Sequence, residues 1–305
     1  IDEVSMADSV LMHHLLNAIP FNAVVIMVGD AHQLPPIGPG NTLSDMITSE
    51  KIPCFYLKTI FRQAAQSPII VNAHHIRKGE FPHLNKMNEP FDAHAEFFFI
   101  EQHTPEDVVT SIVDLCSKKL PELFALNPVN DIQVLTPMHK GVAGTMNLNR
   151  QLQAALNKTP GTLSSGNNRF KVGDKVMHLK NNYQKDIFNG DSGTITHMDK
   201  TGDLLCVDFY GRNVEYSLEE MDELALGYAI SVHKSQGSEY PAVVLPIITH
   251  HYIMLQRNLL YTGITRAKKY VVLVGTKKAL AIALKNNKPQ LRCSGLSDRL
   301  YSMAP

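Results

Sequence analysis

Cysteine and metal-ligand motifs are sparse in this chain. The 305 residues include four cysteines, Cys54, Cys116, Cys206 and Cys293, and no two of them have Cys-x-x-Cys spacing. Scattered cysteines are typical of reduced thiols in a cytosolic compartment and do not indicate a zinc site. There are 14 histidines but no His-Glu-x-x-His sequence, so the histidines give no pattern for metal binding either.

Long apolar runs and export signals are also missing. No apolar stretch approaches the length of a membrane span, and no signal peptide is recognisable. We therefore expect a soluble, cytoplasmic protein without membrane contact. The chain starts with Ile1-Asp2-Glu3 rather than with methionine, and we interpret it as a fragment of a longer protein.

Net charge is absent as well. The 29 Lys and Arg residues balance the 29 Asp and Glu residues, so the formal charge is +0. A protein that coats duplex DNA through electrostatic attraction is usually basic, which disfavours that class. A groove that follows one strand needs only a few local cations and stacking side chains, so single-stranded nucleic acid stays a candidate ligand.

What the chain does contain is alternating helix and strand patterns, which predict an α/β fold. The continuous β-branched run at 23–28 is typical of a buried strand in a parallel sheet. Short strands with Gly-rich turns after residue 170 predict a small antiparallel β-barrel. Further helices are predicted at 5–19, 41–49, 67–78, 105–119, 145–156 and 254–265, and further strands at 96–100, 132–135, 229–232, 242–247 and 270–274.

These patterns divide the chain into three units. We predict a first α/β domain at 1–90 and a second at 91–169 together with 226–305. The barrel at 170–225 is then an insertion in the second domain. Four of its lysines either line a nucleic-acid path or form a solvated face; they are Lys171, Lys175, Lys180 and Lys185.

The most specific string lies at 229–239 and reads Ala-Ile-Ser-Val-His-Lys-Ser-Gln-Gly-Ser-Glu. An apolar run breaks there into a turn with a cation, hydroxyls and a glycine, the groups that meet phosphates at a strand end. Such a strand end normally works with a P-loop, Gly-x-x-x-x-Gly-Lys-Ser/Thr. The chain contains no P-loop sequence.

Other polar groups fit phosphoryl transfer. The pair Asp2 and Glu3 suits water-mediated Mg²⁺ binding and polarisation of an attacking water, although a solvated surface pair is more common. Gln33 follows the strand at 23–28 and either bonds to a γ-phosphate or belongs to an ordinary loop. Arg62 and Arg266 suit bidentate phosphate contact, and surface salt bridges are the alternative.

The order of these motifs resembles the superfamily 1 helicases. The series is Asp-Glu, Gly-Asp-x-x-Gln, Phe-Arg-Gln, His-Lys-Ser-Gln-Gly-x-Glu and Thr-x-x-x-Arg-Ala. Residues 1–6, 38–41 and 61–77 resemble the RecD-like branch, the exodeoxyribonuclease V alpha-subunit type, and the resemblance covers essentially the whole chain. It implies RecA-like P-loop NTPase domains with ATP between them, single-stranded DNA across their top, and a Src-homology-3-like barrel inserted in the second.

The resemblance also implies roles for individual residues. Asp2 would hold Mg²⁺ through water, Glu3 would be the catalytic base, and Gln33 would sense the γ-phosphate that Arg62 and Arg266 reach. The other residues implied at the nucleotide are Asp30, Gly237 and Glu239. Those implied at DNA are Thr136, His139, Lys140, His233, Lys234 and Ser235.

The function implied is an ATP-dependent 5′ to 3′ DNA helicase of recombination and repair, associated with the bacterial nucleoid. Its cofactors would be ATP and Mg²⁺, and its partners single-stranded DNA or junctions and other repair subunits. The P-loop Lys and Ser/Thr of the family have no counterpart here, so we expect a truncated first domain with an open apolar edge and an inactive fragment of an active parent. The alternatives are the helicase part of a conjugative relaxase and a non-catalytic DNA-binding or subunit-docking module.

Overall fold

The computed structural model of the 305-residue chain describes residues 1–57, 67–87, 95–161, 163–165, 168–199, 204–287, 292 and 294–302. The helices among them are α1 (Ser9–Ala18), α2 (Thr42–Thr48), α3 (Pro68–Lys78), α4 (Pro105–Asp114), α5 (Leu120–Phe124), α6 (Thr145–Leu156), α7 (Arg257–Ile264), α8 (Lys277–Lys285) and α9 (Leu296–Ser302). Within these described ranges, none of the helices has the length and apolar character needed to cross a membrane.

The strands are β1 (Phe97–Glu101), β2 (Ile132–Thr136), β3 (Leu163–Ser165), β4 (Asn168–Phe170), β5 (Lys175–His178), β6 (Ser192–Met198), β7 (Leu204–Phe209), β8 (Arg212–Ser217), β9 (Leu224–Leu226), β10 (Ala229–Ser231), β11 (Tyr240–Ile247) and β12 (Ala267–Gly275). Short 3-10 turns lie at Val4–Met6, Glu220–Glu223, His233–Ser235 and Thr249–Met254.

The main sheet has five parallel strands in the order β1-β12-β11-β2-β10. The register places Val243 of the central strand β11 beside Val271 of β12 and Gln133 of β2. Parallel strands need crossover connections, and the helices that supply them cover both faces of the sheet. The valine-rich second half of β12, from Val271 to Gly275, is therefore buried.

Two apolar layers enclose this sheet. On one face, α4 and α6 pack against alternate strand residues such as Val244 and Val272. On the other face, α3, α7 and α8 pack against Val243 and Val271. The period-2 alternation along each strand assigns neighbouring residues to opposite layers.

The second sheet has five antiparallel strands in the order β8-β7-β6-β5-β9. Along β7 the residues Leu205, Val207 and Phe209 are buried and their neighbours are partly exposed, the pattern of a strand with one wet face. This sheet lies between α6 and β10 in the chain, so it interrupts the parallel unit. The predicted α/β class with an antiparallel insertion is confirmed.

The prediction of a buried strand at 23–28 is wrong. The segment is extended, and Val28 exchanges backbone hydrogen bonds of 2.8 and 2.9 Å with Ile1 and Val4. Its side chains are exposed, however, with Val24 at 90% and Ile26 at 71%. Within the described residues, segment 1–4 pairs with this run, so the prediction that the run is buried is wrong; the truncated first domain with an open apolar edge stays a prediction.

Helix ends differ from the predicted ones for local reasons. The segment predicted as one helix at 5–19 divides into a 3-10 turn and α1, because Asp8 caps α1 by accepting a 2.8 Å hydrogen bond from the Leu11 amide. The helix predicted at 105–119 begins as expected, with Thr104 as the cap. It continues through a π-helical turn at Leu115–Lys119 into α5.

Two helices pack across the predicted domain boundaries. Helix α3 lies against α7, and its Ile69 and Ile76 belong to the apolar layer of the main sheet. Helix α9 lies against α2, and its Leu296 and Leu300 cover the small core around Met12. The division at 1–90, 91–169 with 226–305, and 170–225 stays a prediction.

Candidate functional site

The loop after the extended segment is fastened to α7. The Leu34 amide donates a 2.8 Å hydrogen bond to the Thr262 hydroxyl, a buried contact between residues far apart in sequence. The Tyr261 hydroxyl donates to the Asp30 carboxylate at 2.9 Å. Burial and the nearby Asp30 charge raise the pKa of Tyr261, so this phenol stays protonated and keeps donating.

The same loop is also joined to the turn after β10. The Gln236 amide nitrogen donates a 2.9 Å buried hydrogen bond to the Leu34 carbonyl. Gly237 has a left-handed φ of 74°, and a Cβ there would lie 3.9 Å from the Met6 sulfur. Residues near 6 and 34, in the first part of the chain, therefore contact residues near 236 and 262, in the second part. These contacts form one interface between the two parts.

Arg266 is buried at the end of this interface. Only 5% of the residue is exposed. Its guanidinium donates to the Thr262 and Ser238 carbonyls at 3.3 Å and to the Thr265 hydroxyl at 3.4 Å. No carboxylate in the described part of the chain forms an ion pair with it. A buried cation with long bonds to neutral oxygens can accept an anionic partner.

The acidic pair stands beside the extended segment. Asp2 is exposed, and its carboxylate accepts a 2.8 Å hydrogen bond from the Glu3 amide. Glu3 has φ 52° and ψ 36°, a left-handed conformation that costs a non-glycine residue on the order of 1 kcal/mol. Asp2 offers the hard oxygen that Mg²⁺ prefers. No group of three or more candidate metal-ligating side chains occurs within the described ranges.

Gln33 has an unsatisfied amide oxygen. Its Oε1 atom is buried and has no hydrogen-bond partner. Glu239 is different, because its carboxylate forms an exposed 3.1 Å ion pair with Lys268. Arg62 lies outside the described residues, and its role stays a prediction.

The predicted DNA-contact residues fall into two places. At the end of β2, the fully buried Thr136 hydroxyl donates to the Ala143 carbonyl at 2.7 Å and so holds the following loop. In that loop His139 and Lys140 are exposed, and a His139 ring nitrogen lies 2.7 Å from the Thr145 hydroxyl. The exposed Lys140 is the cation of this loop.

The second place is the turn after β10. Ser235 is fully buried and its hydroxyl donates to the Val232 carbonyl at 2.8 Å. Burial, with a smaller contribution from Arg292, lowers the pKa of His233. Burial also lowers the pKa of Lys234. His233 is therefore neutral near pH 7 and suits a hydrogen bond to a ligand better than a charge contact.

Sequence reasoning missed the residues that carry the contacts between the two parts. Tyr261, Thr262 and Gln236 received no role, although Thr262 and Gln236 lie inside quoted motifs and Tyr261 directly precedes one. Their signal was a polar side chain within an apolar helix or at a strand end. Sequence cannot reveal which distant backbone group satisfies such a side chain, because that depends on packing.

Family models match three stretches of the chain. The UvrD-like helicase C-terminal domain matches residues 226–274, and the ATP-dependent RecD-like DNA helicase SH3 domain matches residues 148–209. A model described as an AAA domain matches residues 1–95.

Whole-chain relatives agree with these matches. The ATP-dependent RecD2 DNA helicase of Deinococcus radiodurans is 36% identical over 300 residues, which are 98% of this chain and 39% of the relative. The RecBCD enzyme subunit RecD of Mycobacterium tuberculosis is 25% identical over 311 residues, 99% of this chain and 53% of the relative. The chain thus spans about two fifths to one half of these relatives.

Among solved structures, the Pif1 helicase from Bacteroides in complex with ADP-AlF3 and ssDNA has a TM-score of 0.52 at 18% identity. The match covers 90% of this chain and 69% of that one. At this identity the likeness concerns the fold alone, and it supports the RecA-like arrangement.

The fold and the comparisons together define a RecA-like α/β unit whose motifs resemble those of the superfamily 1 helicases. Within that class, the relatives and the matched SH3 domain confirm the resemblance to the RecD-like branch that the motif order predicted.

Proposed function

We propose that the protein to which this chain belongs is an ATP-dependent DNA helicase of recombination and repair that moves 5′ to 3′ on single-stranded DNA. The observation that carries the proposal is the three-way contact at Leu34, where Thr262 and Gln236 bond to its amide and carbonyl. In a helicase, the binding and hydrolysis of ATP in one part of the protein must be coupled to DNA contacts in another part. This contact joins the Gln33 loop, the His233–Ser235 turn and the helix that leads to Arg266.

The residues present suit the two cofactors of the proposal. ATP supplies the phosphoanhydride bond whose hydrolysis drives movement, with Mg²⁺ as its counter-ion. Asp2 has an exposed carboxylate for the cation, and the buried Arg266 has no anionic partner in the described part of the chain. With ATP bound, Arg266 would neutralise charge on the transferred phosphoryl group, and Gln33 would orient the attacking water through its unsatisfied Oε1 atom.

The proposed partners are single-stranded DNA and further repair subunits. The exposed Lys140 and the half-buried Lys234 lie on the two loops that would contact a DNA backbone. The relatives named as RecBCD subunits favour further repair subunits as partners of the whole protein. We propose a cytoplasmic, nucleoid-associated location for the same reason.

The decisive substitution is Arg266→Ala in the whole protein. An arginine that stabilises phosphoryl transfer is worth about 10³-fold or more in turnover, so DNA-stimulated ATP hydrolysis should fall to background. DNA binding should persist. The matched control is Arg212→Ala, because Arg212 is exposed and pairs with Asp186 in the barrel.

Arg266→Lys accompanies these variants, since it keeps the buried charge but loses the planar fork. Circular dichroism should show that each variant is folded. Robust DNA-stimulated hydrolysis in folded Arg266→Ala protein would refute the assigned role. A relaxase domain elsewhere in the whole protein would instead favour the conjugative alternative, and a lack of hydrolysis in the unsubstituted protein would favour a docking module.

A further inference from the structure

The inserted antiparallel unit differs in charge from the rest of the chain. Residues 170–225 contain six Lys and Arg residues and eleven Asp and Glu residues, whereas the whole chain contains 29 of each class. The insertion is therefore acidic by five charges, and the remaining residues are basic by the same number. An acidic surface repels the phosphates of DNA and attracts basic protein segments. Binding sites on this unit therefore favour a protein partner over nucleic acid.

Strand β8 forms one edge of the antiparallel sheet. Among the described strands it pairs with β7 alone, and along such an edge the backbone groups of alternate residues point away from the sheet. The Glu215 carbonyl accepts a 2.6 Å hydrogen bond from the Lys185 ammonium. The Ser217 amide donates to the Glu220 carboxylate at 2.9 Å. Because Lys185 and Glu220 lie outside β7, the residues whose backbone faces outward are Asn213, Glu215 and Ser217.

One half of this outer edge is closed and the other half is open. Lys185 and Glu220 form a 2.7 Å ion pair, and together they occupy the outward carbonyl of Glu215 and the outward amide of Ser217. By the same alternation, Asn213 presents both its amide and its carbonyl outward. No other strand or bridge of the described residues pairs with it there. The open half of the edge is therefore the half next to the β7–β8 turn.

A shallow groove of about 640 Å³ accompanies this edge, and most of its lining comes from β8. Both cations of the groove are already paired, Lys185 with Glu220 at 2.7 Å and Arg212 with Asp186 at 2.8 Å. The exposed Glu215 has no ion-pair partner within the described residues. The charge that is free to attract a ligand is therefore negative.

Exposed aromatic side chains lie beside the open half. Tyr210 in the β7–β8 turn is 87% exposed and has a left-handed φ of 54°. Such a turn position is normally taken by Asn or Gly, and a strained residue of another type is a pointer to function. Tyr183 is also exposed, and its ring lies 6.1 Å from that of Phe188. The Arg212–Asp186 ion pair holds the loop with these two rings against β8.

We infer that the open half of the β8 edge is a docking site for an extended, basic segment of a partner protein, which adds to the sheet as a further strand. The Asn213 amide and carbonyl supply its backbone hydrogen bonds. Glu215 attracts its cations, and the Tyr210 ring contacts its apolar residues. The Lys185–Glu220 pair closes the other half, so the added strand is limited to a few residues. None of these residues has a role in the proposed hydrolysis of ATP.

The test is binding of a labelled peptide with alternating Lys and Val residues to the 305-residue chain, measured by fluorescence anisotropy. The control peptide has alternating Glu and Val residues, and so the same strand propensity with the opposite charge. The basic peptide should bind more tightly than the acidic one by about tenfold or more, because only its charges complement Glu215 and the acidic insertion.

Asn213→Pro removes the outward amide and keeps the pairing with β7, because proline is tolerated on an edge strand where the N–H faces solvent. It should weaken binding of the basic peptide about fivefold, the value of one hydrogen bond. The matched control is Asn213→Ala, which keeps the amide and should bind as the unsubstituted chain does. Glu215→Lys should weaken binding of the basic peptide and strengthen binding of the acidic one, and it does not require the strand to accept a proline.

Deuterium exchange gives the position of the bound peptide. The Asn213 and Glu215 amides should exchange more slowly in the complex, and those of β5 should keep their rates. Equal affinity of folded Asn213→Pro and Asn213→Ala would overturn strand addition. Unchanged affinities in Glu215→Lys would overturn the basic character of the partner.

The same measurements distinguish the other occupants. Failure of the basic peptide to bind in the millimolar range would overturn the site. Competition by oligothymidylate would assign the edge to DNA, and self-association that Asn213→Pro abolishes would assign it to a second copy of the chain. Either result would overturn the assignment to a partner protein. None of these measurements depends on ATP hydrolysis, so the helicase proposal stands or falls separately.

Discussion

Lys175 shows at the residue scale how burial changes the meaning of a charged side chain. The sequence placed it among four lysines of a solvated face or a nucleic-acid path. The structure leaves only 6% of it exposed, with its ammonium donating to the Val129 carbonyl at 2.9 Å and lying 5.9 Å from the Tyr240 ring centre. Burial lowers the pKa of Lys175 to about 8, so the charged form is disfavoured in the folded protein and the residue is neither surface cation nor DNA contact.

Lys175→Met should therefore stabilise the protein at pH 7 by about 1–3 kcal/mol, because it removes a buried charge and retains an apolar stem. The pKa is lower in the folded state than in the unfolded one. Wild-type stability from this group is thus complete above the unfolded pKa and is lost as pH falls through about 8. The gain in Lys175→Met should be full below pH 8 and shrink toward pH 10.

Urea unfolding at several pH values measures this gain, with the exposed Lys180→Met as the control. A variant that is less stable than wild type at pH 7 would show that the Val129 carbonyl and the Tyr240 ring outweigh the cost of burial.

At the scale of secondary-structure elements, Asp174 holds together the joint between α6 and the antiparallel sheet. The carboxylate is fully buried and accepts hydrogen bonds from Gln153, Asn157, the Lys171 amide and the Tyr228 hydroxyl, at 2.5 to 3.0 Å. These donors lie on α6, on the segment that enters the sheet and on the segment that leaves it. Four neutral donors hold one buried charge, so both connections of the insertion are fixed at a single point.

Gln153→Met removes one of these donors with little change of volume. The loss should be about 1.5–3 kcal/mol at pH 7, the value of a hydrogen bond to a charged group. Burial raises the pKa of Asp174 in spite of its donors. In acid the carboxyl is protonated and needs the donor less, so the deficit should grow as pH rises through that raised pKa.

The control for this change is Gln151→Met, which makes the same substitution at an exposed position of α6. Denaturant unfolding of both variants at acidic and neutral pH decides the point. Equal stabilities of the two variants at pH 7 would refute the role of Gln153 in the joint.

At the scale of the whole molecule, the last described segment packs against the first described elements. After α8 covers the main sheet, Arg292 donates to the Gly38 and Gly40 carbonyls at 2.5 and 3.0 Å, and Ser294 bonds to Asp45. Helix α9 then covers the small core around Val4, Ala7, Met12 and Met46. The last described helix therefore stabilises the first described elements, and the two parts are joined at α9 as well as at Leu34.

Leu300→Ala should weaken the packing of α9 against this small core. A partly buried leucine loses about 1–2 kcal/mol on truncation, less than a fully buried one. The effect should be confined to α1 and α2, whose amides should exchange faster with deuterium, while those of β11 and β12 stay protected. Tyr301→Ala is the control because Tyr301 is 58% exposed. Unchanged exchange at α1 and α2 would show that α9 does not stabilise this core.

The local patterns of the chain predicted much of the fold. The apolar runs at 242–247 and 270–274 could be predicted from sequence, because strand residues that are buried on both faces are nearly all apolar. Capping residues such as Thr104 place helix ends within a residue or two. The motif order predicted the helicase branch because each motif is defined by residue types at a fixed local spacing.

The rest depended on neighbours distant in sequence. The run at 23–28 has the composition of a buried strand, yet its exposure is decided by what lies beside it. Lys175 and Lys180 are the same residue type in one segment, and only packing separates the buried one from the exposed one. The contacts of Tyr261, Thr262 and Gln236 with the Asp30–Leu34 loop join positions more than 200 residues apart.

Sequence by itself determined element types and chemistry-bearing motifs, since these are set by local periodicity and residue type. Tertiary structure alone decided which polar atoms are satisfied, which charges are buried and which strand edge is open, because each depends on the distance between chain segments.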